Sequence, residues 1–164
     1  MSVMRLASVL LAASVCVGCG YQSPALSSYL KHIKTIRIPP IVNQTASFEL
    51  GDEMTSKLQS RFRSKWRAGD DSTLLLTALD YDIRARTYDV NNLPEQYRMS
   101  ISVQYEFIDN VKRKVIKKEN GFQYHRDFYA VEGAPEPMES EEQARAKLID
   151  EIARALYSQL AEQW

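Results

Sequence analysis

The stretch Tyr97-Arg98-Met99-Ser100-Ile101-Ser102-Val103-Gln104-Tyr105-Glu106-Phe107 decides how this chain folds. Tyr97, Met99, Ile101, Val103, Tyr105 and Phe107 alternate with Arg98, Ser100, Ser102, Gln104 and Glu106. Such a period of two, held this long, fits only a strand with one buried and one wet face.

A second long strand is expected over 73–88. Its apolar side is read as Leu75, Leu79, Tyr81, Ile83 and Ala85, in phase with Thr73 and Thr77. Asp80, Asp82, Arg84 and Arg86 take the other side. Residues 91–94, Asn-Asn-Leu-Pro, form the loop between the two strands. Beyond Phe107, Asp109-Asn110 suits a tight hairpin turn. Val115, Ile116, Phe122, Tyr124 and Phe128 then mark a return strand, with a bulge expected at Gly121, where the alternation changes phase. Short connections make these three strands antiparallel.

The flanks supply the other layer. Ile36 and Ile38 share one face of a short strand at 34–38, closed by Pro39-Pro40. Leu50, Met54, Leu58, Phe62 and Trp66 recur every four residues, the stripe of an inward-facing helix over about 47–67. Asn43, Thr45 and Ser47 are its candidate caps. Ser140-Glu141-Glu142-Gln143 is a capping box. Behind it Ala144, Leu148, Ile149, Ile152, Leu156 and Leu160 continue at helical spacing towards Trp164. The order β-α-β-β-β-α predicts an α+β two-layer sandwich. In it two helices pack on one face of a mostly antiparallel four-stranded sheet, and the other face stays open.

Residues 1–18 have the layout of a secretory signal. Arg5 is the positive start, and residues 6–17 are apolar apart from Ser8 and Ser14. That run is too short for a hydrocarbon core of ~30 Å. Cys16-Val17-Gly18-Cys19 resembles the bacterial lipobox, in which a small residue precedes the cysteine that receives diacylglycerol. The resemblance implies cleavage before Cys19 and a covalent lipid on its sulfur. Cys16 leaves with the leader, so the mature chain keeps one cysteine and no internal disulfide. Gly20, where enteric sorting would need Asp for inner-membrane retention, points to the outer membrane by analogy. Residues 19–32 read as a polar tether and 33–164 as a single domain.

The full chain of 164 residues is formally neutral. Removing the leader takes away Arg5 and leaves one net negative charge, so nothing indicates a nucleic-acid partner. The charges cluster nevertheless. Lys57, Arg61, Arg63, Lys65 and Arg67 form one basic run, and Lys112, Arg113, Lys114, Lys117 and Lys118 another. Glu132, Glu136, Glu139, Glu141 and Glu142 form an acidic one. Taken singly, each reads as a solvated face.

Catalytic sets are poor. His32 and His125 stand apart from any Cys, so no metal spacing is present, and the scattered glycines make no phosphate loop. Asp80 and Asp82 share a strand face about 6–7 Å apart, a separation that could serve a glycosidase. Arg84 continues that face and neutralises it. The chain therefore reads as a non-enzyme with no cofactor beyond the lipid of Cys19. Its notable surface is the polar sheet face of Asp80, Asp82, Arg84, Arg86, Arg98, Ser100, Ser102, Gln104 and Glu106. Such a face suits either plain solvation or the wet interior of a β-barrel.

Several stretches in order carry a family resemblance: Gly18-Cys19-Gly20-Tyr21; Lys34-Thr35-Ile36-Arg37-Ile38-Pro39 with Asn43-Gln44-Thr45; Leu50-Gly51-Asp52-Glu53-Met54-Thr55-Ser56-Lys57-Leu58; the 97–107 strand; and the closing helix from Glu142. Together they resemble the LptE family of lipopolysaccharide-assembly lipoproteins. The resemblance implies two helices on a four-stranded sheet. It also implies a plug and assembly factor inside a β-barrel of the LptD type, at the outer membrane, assisting lipopolysaccharide insertion. Arg98, Lys112, Arg113 and Lys114 are candidate lipopolysaccharide contacts from their charge alone. The opening at 34–58 also resembles lipoproteins of the CsgG and LpoB type, a secretion-pore subunit and an activator of peptidoglycan synthases.

Overall fold

The computed structural model describes residues 30–131 and 137–162. The leader, Cys19, Glu132, Glu136 and Trp164 lie outside the described residues. The elements are β1 (Thr35–Arg37), β2 (Val42–Asn43), α1 (Leu50–Phe62), β3 (Arg67–Ala68), β4 (Ser72–Tyr88), β5 (Pro94–Asp109), β6 (Lys114–Tyr129) and α2 (Glu141–Tyr157). A π-helical turn, Ser158–Glu162, extends α2.

The sandwich is as expected, but the sheet has six strands, not four, in the order β3-β1-β4-β5-β6, with β2 also paired to β4. The two additions, β2 and β3, are two residues each, too short to leave a periodic signal. Both lie on the parallel side of the sheet. β1 pairs with β3 and β4 in parallel, and β2 joins β4 further along. Parallel pairing needs a crossover, and α1 supplies it. The hairpins β4–β5 and β5–β6 are antiparallel.

β4 corrects the expected phase. Leu74, Leu76 and Ala78 are buried while Leu75 is 41% exposed, the reverse of the parity read from sequence. A register shift between Ala78 and Asp80 explains it, because Leu79 is an extra residue opposite the Val103–Ser102 step. Beyond the bulge Tyr81 and Ile83 turn inward as expected, packing against the core. One inserted residue flips every later side chain to the other face. The bulge in β6 falls where it was expected. Asn120 and Gly121 together face Gln104, and Gly121 has φ 82°, a conformation that favours glycine. The β5–β6 turn is wider than a two-residue hairpin. It spans 110–113, with Asp109 Oδ1 accepting the Lys112 N–H at 2.9 Å.

α1 is shorter than its apolar stripe. Leu50, Met54, Leu58 and Phe62 lie along its buried side, and Trp66, past its end, completes the row. None of the candidate caps serves. Glu49 holds the N-cap position without a side-chain bond, while Asn43 bonds Thr45 and the Ser47 carbonyl, organising the loop before the helix. α2 begins as predicted: Ser140 Oγ accepts the Gln143 N–H at 3.2 Å, and the Ser140 N–H donates to Gln143 Oε1 at 3.0 Å. Phe62 stacks on Trp66 and meets Tyr157 edge-on, and Trp66 leans on Phe107, so α1, α2 and β5 are knitted at one end.

Packing reaches back into the stretch read as tether. Leu30 is buried, and His32 Nε2 lies 2.6 Å from the buried Asp109 Oδ2.

Candidate functional site

Strand register assembles the open face row by row. Asp80 stands opposite Ser102, Asp82 opposite Ser100, and Arg84 opposite Arg98. β6 adds a third column: Ser102 faces Gln123, Ser100 faces His125, Arg98 faces Asp127, and Glu106 faces Lys118. Directly paired residues of an antiparallel sheet share a face, so the six positions read from β4 and β5 in these rows are brought together, with β6 beside them. Arg86 is different. It falls at a second register shift, between Ala85 and Thr87, and does not join the rows. The β6 column escaped the sequence reading because Gly121 breaks its alternation. Gln123, His125 and Asp127 nevertheless alternate with Phe122, Tyr124 and Phe128, a legible signal.

The charges on this face neutralise one another. Arg98 donates twice to Asp127, Nε to Oδ1 at 2.7 Å and a terminal nitrogen to Oδ2 at 2.8 Å. That fork geometry gives both strength and orientation. The Arg98 bonds hold the Asp127 carboxyl below the usual carboxylate range. Arg84 Nε lies 2.5 Å from Asp82 Oδ2, so Asp80 and Asp82 do not stand as an isolated carboxylate pair. Two like charges meet at Arg84 and Arg98, and the neighbouring Asp82 and Asp127 offset them. Apart from Asp80, the result is a surface of ion pairs, serines and amides rather than a focused field of one sign.

The four candidate lipid-binding residues fall into two places. Arg98 sits on the open face. Lys112 and Arg113 lie in the β5–β6 turn, and Lys114 opens β6 beside Asp109. From Arg98 to Asp109 is eleven residues of strand, roughly 36 Å at about 3.3 Å each. One small anionic headgroup cannot engage both. Cys19, the expected acylation site, lies outside the described residues.

The opposite face carries the helices, and its key residue has no sequence signature. Arg145, 8% exposed, reaches from α2 to α1. It donates to Glu53 at 3.0 and 2.9 Å and to Glu49 at 2.8 Å. Beside it the Tyr81 hydroxyl donates to Glu141 at 2.9 Å. Burial first, and then the Glu141 carboxylate, push that phenol up to about 12, so it stays a donor. Among the described residues there is no cluster of acidic, His or Cys side chains fit to hold a metal. No helix among them is long and apolar enough to cross a membrane.

Solved structures share this architecture at low identity. A hypothetical protein of Chlamydia trachomatis superposes with a TM-score of 0.51 at 13% identity, covering 79% of this chain and 99% of that one. A Caulobacter crescentus protein described as a lipoprotein gives 0.50 at 14%, covering 77% and 88%. The rare lipoprotein B of Shewanella oneidensis gives 0.47 at 12%, covering 77% and 95%. At these identities the first two show a shared fold and nothing finer. No curated protein matches the chain. The model of the LptE family, described as lipopolysaccharide-assembly, matches residues 33–163. That match takes in both helices, all six strands and the whole open face, and the chain belongs to the LptE family of lipopolysaccharide-assembly lipoproteins.

Proposed function

We propose that this chain is an outer-membrane lipoprotein, acylated on Cys19, that partners a β-barrel of the LptD type as plug and assembly factor for lipopolysaccharide transport. The observation that carries the reading is the open face of β4, β5 and β6. A sheet this long with one polar face of internally paired charges matches a polar barrel interior. Its charges need no compensating partner of fixed sign, so it can lie against a wet lumen at little electrostatic cost. Family membership supports the same reading. Cys19 would supply the anchor, since acyl chains contribute about 0.8 kcal/mol per buried methylene. The protein's part is then binding and positioning, not catalysis.

The test is a photo-crosslinker at Ser100 or Ser102, in the centre of the open face, followed by purification from membranes. An adduct with a large β-barrel is the expected product. An adduct with a peptidoglycan synthase, or only with other copies of this chain, sinks the proposal and favours the CsgG/LpoB-type reading. Separately, Cys19→Ala should leave the protein uncleaved or in the soluble periplasm. Fractionation that still finds the variant in the outer membrane refutes the anchor.

A further inference from the structure

The two basic runs, far apart in sequence, meet at one end of the sheet. β1 and β3 pair Thr35 with Arg67. β1 and β4 pair Ile36 with Ser72, and β4 to β6 align Ser72, Asp109 and Lys114. Lys34, Arg67 and the turn 110–113 therefore share an edge, and Lys34, Lys65, Arg67, Lys112, Arg113 and Lys114 are all exposed there. The acidic groups of this end are engaged. Asp71 accepts the backbone N–H groups of Lys34 and Thr35 at 2.8 and 2.9 Å. Asp109 is buried against His32 and the Lys112 N–H, and Asp70 pairs with Arg37.

Two apolar side chains stand among these cations. Val111 is 61% exposed at the tip of the turn and Val115 is 43% exposed just after it. Cations around exposed valines are the pattern of an interfacial membrane contact, in which charges meet phosphates and apolar groups enter the headgroup boundary. The chain's path allows a lipid surface there. His32, held by Asp109, fixes the incoming segment beside this same turn. Only residues 20–29 separate Cys19 from Leu30, a span of at most about 40 Å when extended.

We infer that the basic, valine-tipped end of the domain docks on the anionic phospholipid headgroups of the leaflet that holds the anchor. In the plug arrangement the strands then run from that headgroup layer into the barrel lumen, and the β4–β5 hairpin with Val90 lies at their far end. This rests on the reading of Cys19 as the lipidated residue, and it names the phosphates that the Lys112 to Lys114 turn would meet.

The test uses the mature lipoprotein purified from membranes and reconstituted in vesicles, with an environment-sensitive fluorophore on Val111→Cys or, in a second sample, on Val90→Cys. Spin-labelled lipids act as quenchers. In vesicles of phosphatidylcholine with phosphatidylglycerol, the probe at 111 should be quenched and the probe at 90 should not. In pure phosphatidylcholine both should stay in water. Replacing Lys34, Arg67 and Arg113 together by Gln should lower the lipid-contacting population roughly a hundredfold, at about fivefold per cation. High salt should release the contact by shortening the screening length. Quenching at 111 that is equal in neutral vesicles, quenching at 90 instead, or quenching only when lipopolysaccharide is included overturns the inference. Failure of the anchor reading shows separately, as protein that stays soluble without detergent. The same probes are then read with added vesicles, and the same outcomes decide.

Discussion

Replacing Arg145 by Ala should loosen the helix layer, and the size of the effect follows from its surroundings. The guanidinium makes three charge-assisted bonds, two to Glu53 and one to Glu49. Its side chain is 9% exposed, whereas those of Glu53 and Glu49 are 34% and 75% exposed. Breaking a buried pair costs roughly 3–5 kcal/mol when the remaining charge is stranded. Glu49 can rehydrate fully and Glu53 in part, so the cost falls to the bottom of that range or just below it, about 2–3 kcal/mol. For a domain of this size the fall in Tm is on the order of 8–12 °C. The assay is thermal and urea unfolding of Arg145→Ala, Glu53→Gln and the double variant. The coupling energy between 145 and 53 should exceed about 1 kcal/mol, because the residues touch. A single-variant loss below about 1 kcal/mol, or additive behaviour in the cycle, refutes the claim that this clamp aligns α1 with α2.

Three further outcomes follow from local geometry. Ser140→Ala removes the capping box of α2 and should cost about 0.5–2 kcal/mol in urea melts, with Ser140→Gly costing less. Deleting Leu79 should leave the fold and the open face intact, because Asp80 already pairs with Ser102 and Ala78 with Val103; a crosslinker at Ser102 that loses its native partner on deletion would contradict this. The third concerns pH. Asp127 is held below the ordinary carboxylate pKa by Arg98. For Asp109, burial pushes upward, but the Lys112 N–H and His32 outweigh it, and the net shift is downward. A depressed folded-state pKa stabilises fully above the unfolded value of about 3.9 and is lost as pH falls through the folded one. Melting temperatures should therefore drop steeply below pH 4, and Asp127→Asn should flatten that slope while lowering stability at pH 7.

How much the residues announced differs from element to element. β5 was readable from Met99 to Phe107, where buried and half-buried positions alternate as its residues do. The Ser140 cap was readable because both of its bonds are local. β4 misled in its first half. Three consecutive leucines at 74–76 carry no alternation, so the phase was set by the second half and carried backwards across a bulge that nothing in the sequence marks. β6 was the harder strand, with register shifts at Gly121 and near Ile116. Of the site, the β4 and β5 rows of the open face were visible, because they need only the parity of two strands. The bond of Arg98 to Asp127 and that of Arg145 to Glu53 were not. Each joins positions whose adjacency exists only after register and helix docking are set. The gathering of the basic runs at one edge was hidden for the same reason: β3, which carries Arg67 to β1, is a strand made wholly by its neighbours.

The lengths of the two layers bear on how these surfaces are used. Strands of 16–17 residues run roughly 50 Å, while α1 and α2, of 13 and 17 residues, run only about 20–25 Å. α2 starts near Tyr81, which bonds Glu141, and finishes near Tyr105, which bonds Gln159. The β4–β5 hairpin beyond Ile83 therefore projects past the helix layer, ending in Tyr88, Val90 and Leu93, all more than half exposed. β6 accompanies β5 as far as Gln96, opposite Tyr129, so only the tip is two-stranded, a form with little independent stability in water, and there Asp89 stiffens the turn by accepting the N–H groups of Asn91 and Leu93. The basic turn and this hairpin stand at opposite ends of the same strands, with the polar rows between them. Substitutions at the two ends lie well beyond the separation at which residues couple directly. Neutralising Arg113 and replacing Val90 by Ser should accordingly combine additively in stability, each near zero, while separating in membrane contact, which only the first should lose. A non-additive stability loss from that pair would mean that the strands transmit strain along their length, and the two ends could not then be treated as independent surfaces.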